Sequence, residues 1–363
     1  MAASAGGASV EVAANPPQGS GSMTAIVPVY EEFARVGPCL AALVAQSDAL
    51  VQIVVADGGS TDGTRDLVRT YAERDHRVRL IDVSPVPAGW NGKAWGLASG
   101  LAASDPQAQW ILCIDADVRA EVALVPSLLA HALRAQLDAF SAAPLLEVSQ
   151  PLEAALHPAF LATLIYRYGL PGNVARTPSA AQANGQCFVA RRALLVATQA
   201  FANAKASRCE DYTVARLLVA AGARVGFYEG GRVARVRMYD DATACWQNWP
   251  RSLALRDATT SLCASALAAA ETACVQGLPL ACVLASLALR ARTDTPFFRI
   301  NVALALLRIG VLAGARRAYA ATGPAYWLSP LLDLPAIAAV IVAAFDPAPV
   351  WRGRTLVPEG RPV

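Results

Sequence analysis

The chain has 363 residues, of which 55% are hydrophobic and only 16% charged, with a formal net charge of +3. Soluble domains lie nearer roughly 45–50% and 25%, so this balance excludes a disordered chain, a polyanion-coating tail and a freely soluble enzyme. The charge is too small for a nucleic-acid partner, and the apolar excess predicts a chain that keeps part of its surface in lipid.

The eight cysteines, at positions 39, 113, 187, 209, 245, 263, 274 and 282, form no Cys-x-x-Cys pair and lie far from the three histidines. That spacing argues against zinc and against a disulfide framework, and fits scattered reduced thiols in a cytosolic setting. Among 31 basic residues only Lys93 and Lys205 are lysine, so each draws notice.

Residues 1–22 are mostly Ala, Gly, Ser and Pro, with Glu11 as their charge. They carry neither a basic nor an apolar targeting segment and read as a disordered leader, with Met23 an alternative start of the chain. From 24 to about 146, short β-branched runs alternate with helical spacing. Strands are predicted over 24–30, 50–57, 77–83 and 109–115, and helices over 33–47, 62–74 and 93–103. In "STDGT", Ser60, Thr61 or Asp62 is available as N-cap of the second helix. Such alternation predicts an α/β fold with a mostly parallel sheet, and ligands of such sheets bind at the carboxyl ends of the strands. Residues 147–257 are less regular: an amphipathic stretch at 152–168, a strand at "GQCFVARR", a helix over 211–221 and a strand pair ending near Tyr239. Long apolar blocks follow at 261–289, 300–315 and 326–345.

A bilayer span needs about 20 apolar residues. The middle block has sixteen and contains Arg308, the last holds Asp333, and the first holds Glu271, Gln276 and Pro279. A central charge costs about 2.5–3.5 kcal/mol, so each block inserts only marginally. Three in succession still favour insertion. Three spans would put Arg290, Arg292 and Arg299 outside, against the positive-inside rule, so two spans plus a re-entrant or interfacial first block fit better.

Five motifs carry chemistry. In "ADGGSTDGT" (56–64), Asp57 ends a buried strand, where its carboxylate either accepts from a base or ribose or simply closes a strand-to-helix turn. Asp115 and Asp117, two apart at the end of "QWILCID", are expected on one face of a strand, able to hold a divalent cation, Mg²⁺ or Mn²⁺, that carries a diphosphate. "PAGWNGKAWGLASG" (87–100) opens a helix whose N-terminus suits anionic oxygens, and Lys93 fits as a phosphate-facing charge or as a surface lysine. Glu210 and Asp211 begin a helix, where they either cap it or supply a general base to an acceptor hydroxyl. Arg237, Tyr239, Trp246, Trp249, Arg251 and Arg256 precede the apolar blocks, as interfacial anchors or as groups closing over diphosphate or acceptor.

In this order the motifs resemble glycosyltransferase family 2, inverting enzymes with an A-type nucleotide-sugar fold. "IVPVYEE" is similar to that family's opening strand, "DGGSTDGT" to its nucleotide loop, Asp115-Ala116-Asp117 to its metal motif and Glu210-Asp211 to its base motif. "GWNGKAW", "ANGQCFVARR", "RMY" and "WRGR" (351–354) narrow the likeness to the membrane-associated branch that glycosylates carotenoids and hopanoid-type lipids. The resemblance covers 24 to about 257 and the tail more loosely. It implies a Rossmann-like catalytic domain over 23–257, with a nucleotide half (23–146) and an acceptor half (147–257), then a membrane-associated helical region over 258–363.

By the same resemblance, Pro28, Tyr30, Glu32, Asp57, Lys93, Asp115 and Arg237 bind a nucleotide sugar, with UDP-glucose or another UDP-hexose the expected donor. Asn184, Gly185, Gln186, Trp246, Trp249 and Arg251 face a lipid acceptor, and Asp211 with Glu210 forms the base pair. The implied location is the cell membrane, with the catalytic domain facing the cytoplasm. Ala56 stands where many members have the first of two adjacent Asp, and "WQNWPR" replaces the Gln-x-x-Arg-Trp box of processive synthases, which argues against a polymerising enzyme. Two rivals are a sugar nucleotidyltransferase, disfavoured by "PVYEEF" after the first strand where a Gly-rich loop is wanted, and an inactive membrane scaffold, which would tolerate loss of Asp117 or Asp211.

Overall fold

The computed structural model describes residues 8–253, 255, 256, 259–346, 350, 351, 354 and 355. The expected boundary at 257/258 and part of the "WRGR" motif lie outside them. The described chain forms two units, one of residues up to Leu146 plus Pro171–Arg237, the other of Glu147–Leu170 plus the chain from Met238 onward. The expected acceptor half, 147–257, is therefore divided between them.

The first unit begins with β1 (Met23–Val29), α1 (Phe33–Val44), β2 (Leu50–Asp57), α2 (Thr64–Ala72), β3 (Val78–Asp82), α3 (Gly92–Ala102), β4 (Trp110–Ile114), β5 (Val118–Ala120), α4 (Leu124–Arg134), β6 (Ala139–Ala143) and β7 (Leu145–Leu146). After α5 (Pro151–Tyr168), which belongs to the second unit, it resumes with β8 (Asn173–Val174), β9 (Cys187–Arg191), α6 (Arg192–Ala197), α7 (Ala200–Asn203), α8 (Glu210–Ala220), β10 (Val225–Glu229) and β11 (Ala234–Val236). The main sheet has the order β3-β2-β1-β4-β9-β6-β10-β8. Its strands are parallel except β9 and β8. Near-continuous apolar runs such as "MTAIVPV" are buried because helices cover both faces of a parallel sheet.

Glycine sets the distance between α3 and the sheet. A Cβ on Gly100 would lie 2.3 Å from Ile26 Cγ2, and one on Gly96 3.2 Å from Pro28 Cβ. Gly100→Ala is therefore expected to destabilise the first unit by about 1–3 kcal/mol through overpacking, and by less in an Ile26→Ala background, which lacks the clashing Cγ2. Thermal unfolding of the two variants checks this; an unchanged midpoint for Gly100→Ala refutes the close approach.

The expected disordered leader is docked over 8–22. The β8 strand meets β10 only at Gly226 and Phe227, which leaves the far end of β10 as an open edge. Ala8 C=O accepts from Glu229 N–H at 2.9 Å, Val10 N–H donates back to Glu229 C=O at 2.8 Å, and Ala13 N–H donates to Ser127 Oγ. Val10 is fully buried. Polar, Gly-rich composition hid one apolar residue with a strand edge to cover.

The second unit comprises α5, α9 (Ala242–Asn248), α10 (Leu262–Thr272), α11 (Leu278–Ala288), α12 (Pro296–Ala315) and α13 (Asp333–Phe345). Three helical stretches, Leu262–Ala288, Pro296–Ala318 and Pro324–Phe345, are long and apolar enough to cross a membrane. The first, expected as re-entrant or interfacial, is a continuous 27-residue helix, about 40 Å at 1.5 Å per residue. The second reaches 23 residues rather than the sixteen of its apolar core, because Thr295 caps it upstream through Phe298 N–H. The π-turn at Ala273–Gly277 inside the first stretch sets Gln276 to donate to Ala159 C=O and to Asp333 Oδ1, each at 2.9 Å. Arg308 in turn grips Asp333 with two hydrogen bonds, of 2.7 and 2.9 Å, and donates to Ser329 Oγ at 3.0 Å. One polar residue from each apolar block, Gln276, Arg308 and Asp333, thus joins a shared network.

Candidate active site

Pairing between β1 and β4 ends at Ile26 and Cys113, so their carboxyl ends part at the point where strand order reverses. Such a switch point opens a crevice for a ligand. The loop after β1 is sewn to the loop after β2. Glu31, in the left-handed region at φ +54°, donates its N–H to Ser60 Oγ at 2.9 Å and accepts from Thr61 N–H at 2.8 Å. Glu32 N–H donates to Thr64 Oγ1, and Phe33 N–H to Asp62 Oδ2. Pro28, Tyr30 and Glu32 therefore line the end of β1 on a fixed loop. The N-cap of α2 is Gly63, at φ +96°, rather than Ser60, Thr61 or Asp62; Ser60 and Thr61 bind the neighbouring loop, and Asp62 reaches Thr64 N–H.

Asp57 closes the strand-to-helix turn, the second of its two readings. Its carboxylate is fully buried and accepts from Gly59 and Ser60 N–H at 3.1–3.3 Å, with Arg65 Nε at 3.3 Å. It anchors the turn, and the turn in turn fixes the loop beside it. The glycines that follow let the N–H groups point back at the carboxylate; Gly59 has φ +92°.

Lys93 lies in the first turn of α3. Its Nζ is 2.8 and 3.0 Å from the two oxygens of Asp115 and 3.1 Å from Glu210 Oε1. Burial works against its charge, but the carboxylates of Asp115, Glu210 and Asp211 outweigh it and hold the ammonium well above its ordinary pKa. The start of α3 is held by Asn91, whose N–H donates to Lys205 C=O at 2.7 Å and whose side chain donates to Ser207 C=O at 2.9 Å.

Asp115 and Asp117 do not lie on a strand, because β4 ends at Ile114. They occupy a turn closed by Val118 N–H donating to Asp115 C=O at 3.1 Å. A tight turn, not strand alternation, brings them together. The carboxyl of Asp117 is pushed up to about 7 by burial and by the nearby Asp115 and Glu32. Its Oδ1 is buried with no hydrogen-bond partner among the described residues. β11 runs antiparallel to β5 with Val236 opposite Val118, so Arg237 follows at the level of Asp117.

Residues 184–186 close the other side. Asn184 N–H donates to Ser141 Oγ at 2.8 Å, and Gln186 N–H to Asn184 Oδ1 at 2.8 Å. Gly185 N–H donates to Asp211 Oδ2 at 2.8 Å while Tyr212 N–H donates to Oδ1 at 2.9 Å. Burial, with Glu210 next to it, raises the Asp211 carboxyl to about 6, against the lowering pull of Lys93 and these hydrogen bonds. A Cβ at position 185 would lie 2.8 Å from Lys93 Nζ.

The first unit thus unites Pro28, Tyr30, Glu32, Lys93, Asp115, Asp117, Asn184, Gly185, Gln186, Glu210, Asp211 and Arg237. Trp246, Trp249 and Arg251 belong to the second unit. Trp249 is a core residue there, 6% exposed and packed on His157 at 3.9 Å between ring centroids. Trp246 is 41% exposed and Arg251 half-buried. Sequence reading missed Ser141, for which nothing in the pattern speaks, and the stapling by Asn91, whose place just before a helix was the available signal.

Among the described residues no group of three His, Cys, Asp or Glu forms a complete metal cage. The residues present nevertheless fit a hard cation completed by diphosphate oxygens: two carboxylates in one turn, one of them with a buried oxygen lacking a partner. Asp117→Asn is expected to leave the fold intact, since it removes an unsatisfied buried acceptor's charge, and to weaken metal-dependent nucleotide binding at least tenfold. Titration of UDP with and without Mg²⁺ checks it; equal affinity in wild type and variant refutes it.

Residues 24–196 match the Glycosyl transferase family 2 model. A 60-residue segment is 35% identical to the Glycosyltransferase GlyA of Streptococcus pneumoniae serotype 4, covering 16% of this chain and 9% of that protein, so the chain spans only a small part of this relative. Among solved structures, the mannosyltransferase PcManGT from Pyrobaculum calidifontis, in complex with GDP-Man and Mn²⁺, is 20% identical, with a TM-score of 0.50 over 91% of this chain and 88% of that one. The glucosyl-3-phosphoglycerate synthase of Mycobacterium tuberculosis is 19% identical over 64% and 78% of the two chains, with a TM-score of 0.43. The family match runs from β1 into α6, so residues 24–196, which include the switch-point carboxylates Asp115 and Asp117, carry a glycosyltransferase family 2 domain.

Proposed function

We propose that the chain is an inverting hexosyltransferase that moves a sugar from a nucleotide donor, UDP-glucose, to a hydroxyl of a membrane lipid of carotenoid, hopanoid or other isoprenoid or glycerolipid type. The observation that carries this reading is the Lys93-centred cluster, which joins the Asp115/Asp117 turn to the Glu210/Asp211 pair. Asp211, held by two backbone N–H groups, accepts the proton of the acceptor hydroxyl. The acceptor oxygen bonds to the anomeric carbon as the carbon–phosphate oxygen bond breaks, the electron pair leaves with the diphosphate, and the configuration inverts. Lys93 and Arg237 supply positive charge for that departing diphosphate. Asp115 and Asp117 would hold a divalent cation, Mg²⁺ or Mn²⁺, which supplies further neutralisation there. The similar mannosyltransferase holds GDP-Man and Mn²⁺, which supports a nucleotide sugar and a divalent ion here.

Three helices of membrane-crossing length support a lipid acceptor and a place in the cell membrane, and the scattered thiols support a catalytic unit on the cytoplasmic side. The test is transfer by the full chain in detergent from labelled UDP-glucose or GDP-mannose to a membrane lipid extract, paired with lipid masses from cells with and without the gene. The expected result is a labelled lipid, heavier by one hexose and absent without the gene. Label that reaches no lipid from either donor overturns the reading.

A further inference from the structure

The three N–H donors of the Lys93 ammonium are matched by three carboxylate oxygens, two on Asp115 at 2.8 and 3.0 Å and one on Glu210 at 3.1 Å. A diphosphate oxygen can reach this ammonium only by displacing one of them. The single, longest contact is Glu210's. Clearance for the shared position comes from Gly185, where a Cβ would stand 2.8 Å from the same nitrogen.

We propose that Lys93 couples the two halves of the site: Glu210 holds its ammonium back until a donor diphosphate competes for it, and donor binding then frees Glu210 beside the base. This rests on the nucleotide-sugar reading above. It gives Glu210 a role separate from that of the base: it acts as a competitor of the diphosphate for one cation.

The test reads nucleotide affinity, not turnover. UDP and GDP, each with Mg²⁺, are titrated calorimetrically into the full chain in detergent. Glu210→Gln keeps the shape and removes the competing charge, so it is expected to tighten nucleotide binding by about two- to fivefold, the scale of a partly exposed ion pair. A site that was merely damaged would bind more weakly. Lys93→Met is expected to lose nucleotide affinity, Lys93→Arg to recover part of it, and the double variant Lys93→Met/Glu210→Gln to bind as Lys93→Met does, because the effect of Glu210 runs through the lysine. If Glu210→Gln does not fold, Glu210→Asp, which withdraws the carboxylate by one methylene, is expected to tighten binding in the same direction. Unchanged or weaker binding in a folded Glu210 variant, or additive effects in the double variant, overturns the bridge while leaving the nucleotide-sugar reading in place. Failure of the wild-type chain to bind either nucleotide overturns both.

Discussion

Asp211→Asn is expected to lower turnover by about 10²–10⁴ with donor affinity retained, because an amide cannot take the acceptor's proton. The substitution keeps the volume, and one amide oxygen still accepts from either Gly185 or Tyr212 N–H, so the loss of a single backbone hydrogen bond costs only about 1 kcal/mol. The pH profile separates base from scaffold. Burial and the adjacent Glu210 raise this carboxyl to about 6, so below that pH the side chain carries its proton and cannot accept another. Wild-type turnover should therefore climb as pH rises through about 6 and level off above it, and the residual activity of the variant should lack that limb. Initial rates from about pH 5 to 8 at saturating donor measure it. A flat wild-type profile, or a variant in which donor affinity and turnover fall together, would make Asp211 a structural residue.

Much of this site could be read from residue order, because alternating apolar runs dictate a parallel sheet and its strand ends collect ligand-facing groups. That alternation places Lys93, Asp115 and Asp117 in the segments after β3 and β4, whereas the place of Glu210 and Asp211 beside them is what the family resemblance implies. Detailed roles were less legible, since they depend on which way a loop turns. Asp57 sits at a strand end as expected, and of its two readings spacing alone did not choose the one in which the next residues bend back and bind its carboxylate. The Asp-x-Asp pair converges through a turn, although strand periodicity predicts the same convergence for a different reason. Trp249 reads as an interfacial anchor, but His157, the sixth residue of an amphipathic stretch, offers it a stacking partner in the core. The leader shows the converse, where Val10 finds an open strand edge that only the finished sheet creates.

Arg308→Ala is expected to destabilise the helical unit by about 3–5 kcal/mol, the cost of leaving a buried carboxylate without its partner. Arg308 and Asp333 are 2% and 1% exposed, and their bidentate contact offsets the penalty that made the second and third apolar blocks marginal spans when taken alone. Gln276 does not replace the missing charge, because it already donates to Asp333 Oδ1 and to Ala159 C=O. Asp333→Ala strands the guanidinium instead and should cost as much. The double variant Arg308→Met/Asp333→Leu removes both charges and fills the space with side chains of similar volume, so it should recover most of the stability lost by either single change. Thermal unfolding of the full chain in detergent, together with the yield from membranes, reads all three variants. Single variants as stable as the wild type would show that the pair contributes nothing to holding these helices together, and a double variant as damaged as the singles would show that packing, not charge, is what the substitutions destroy.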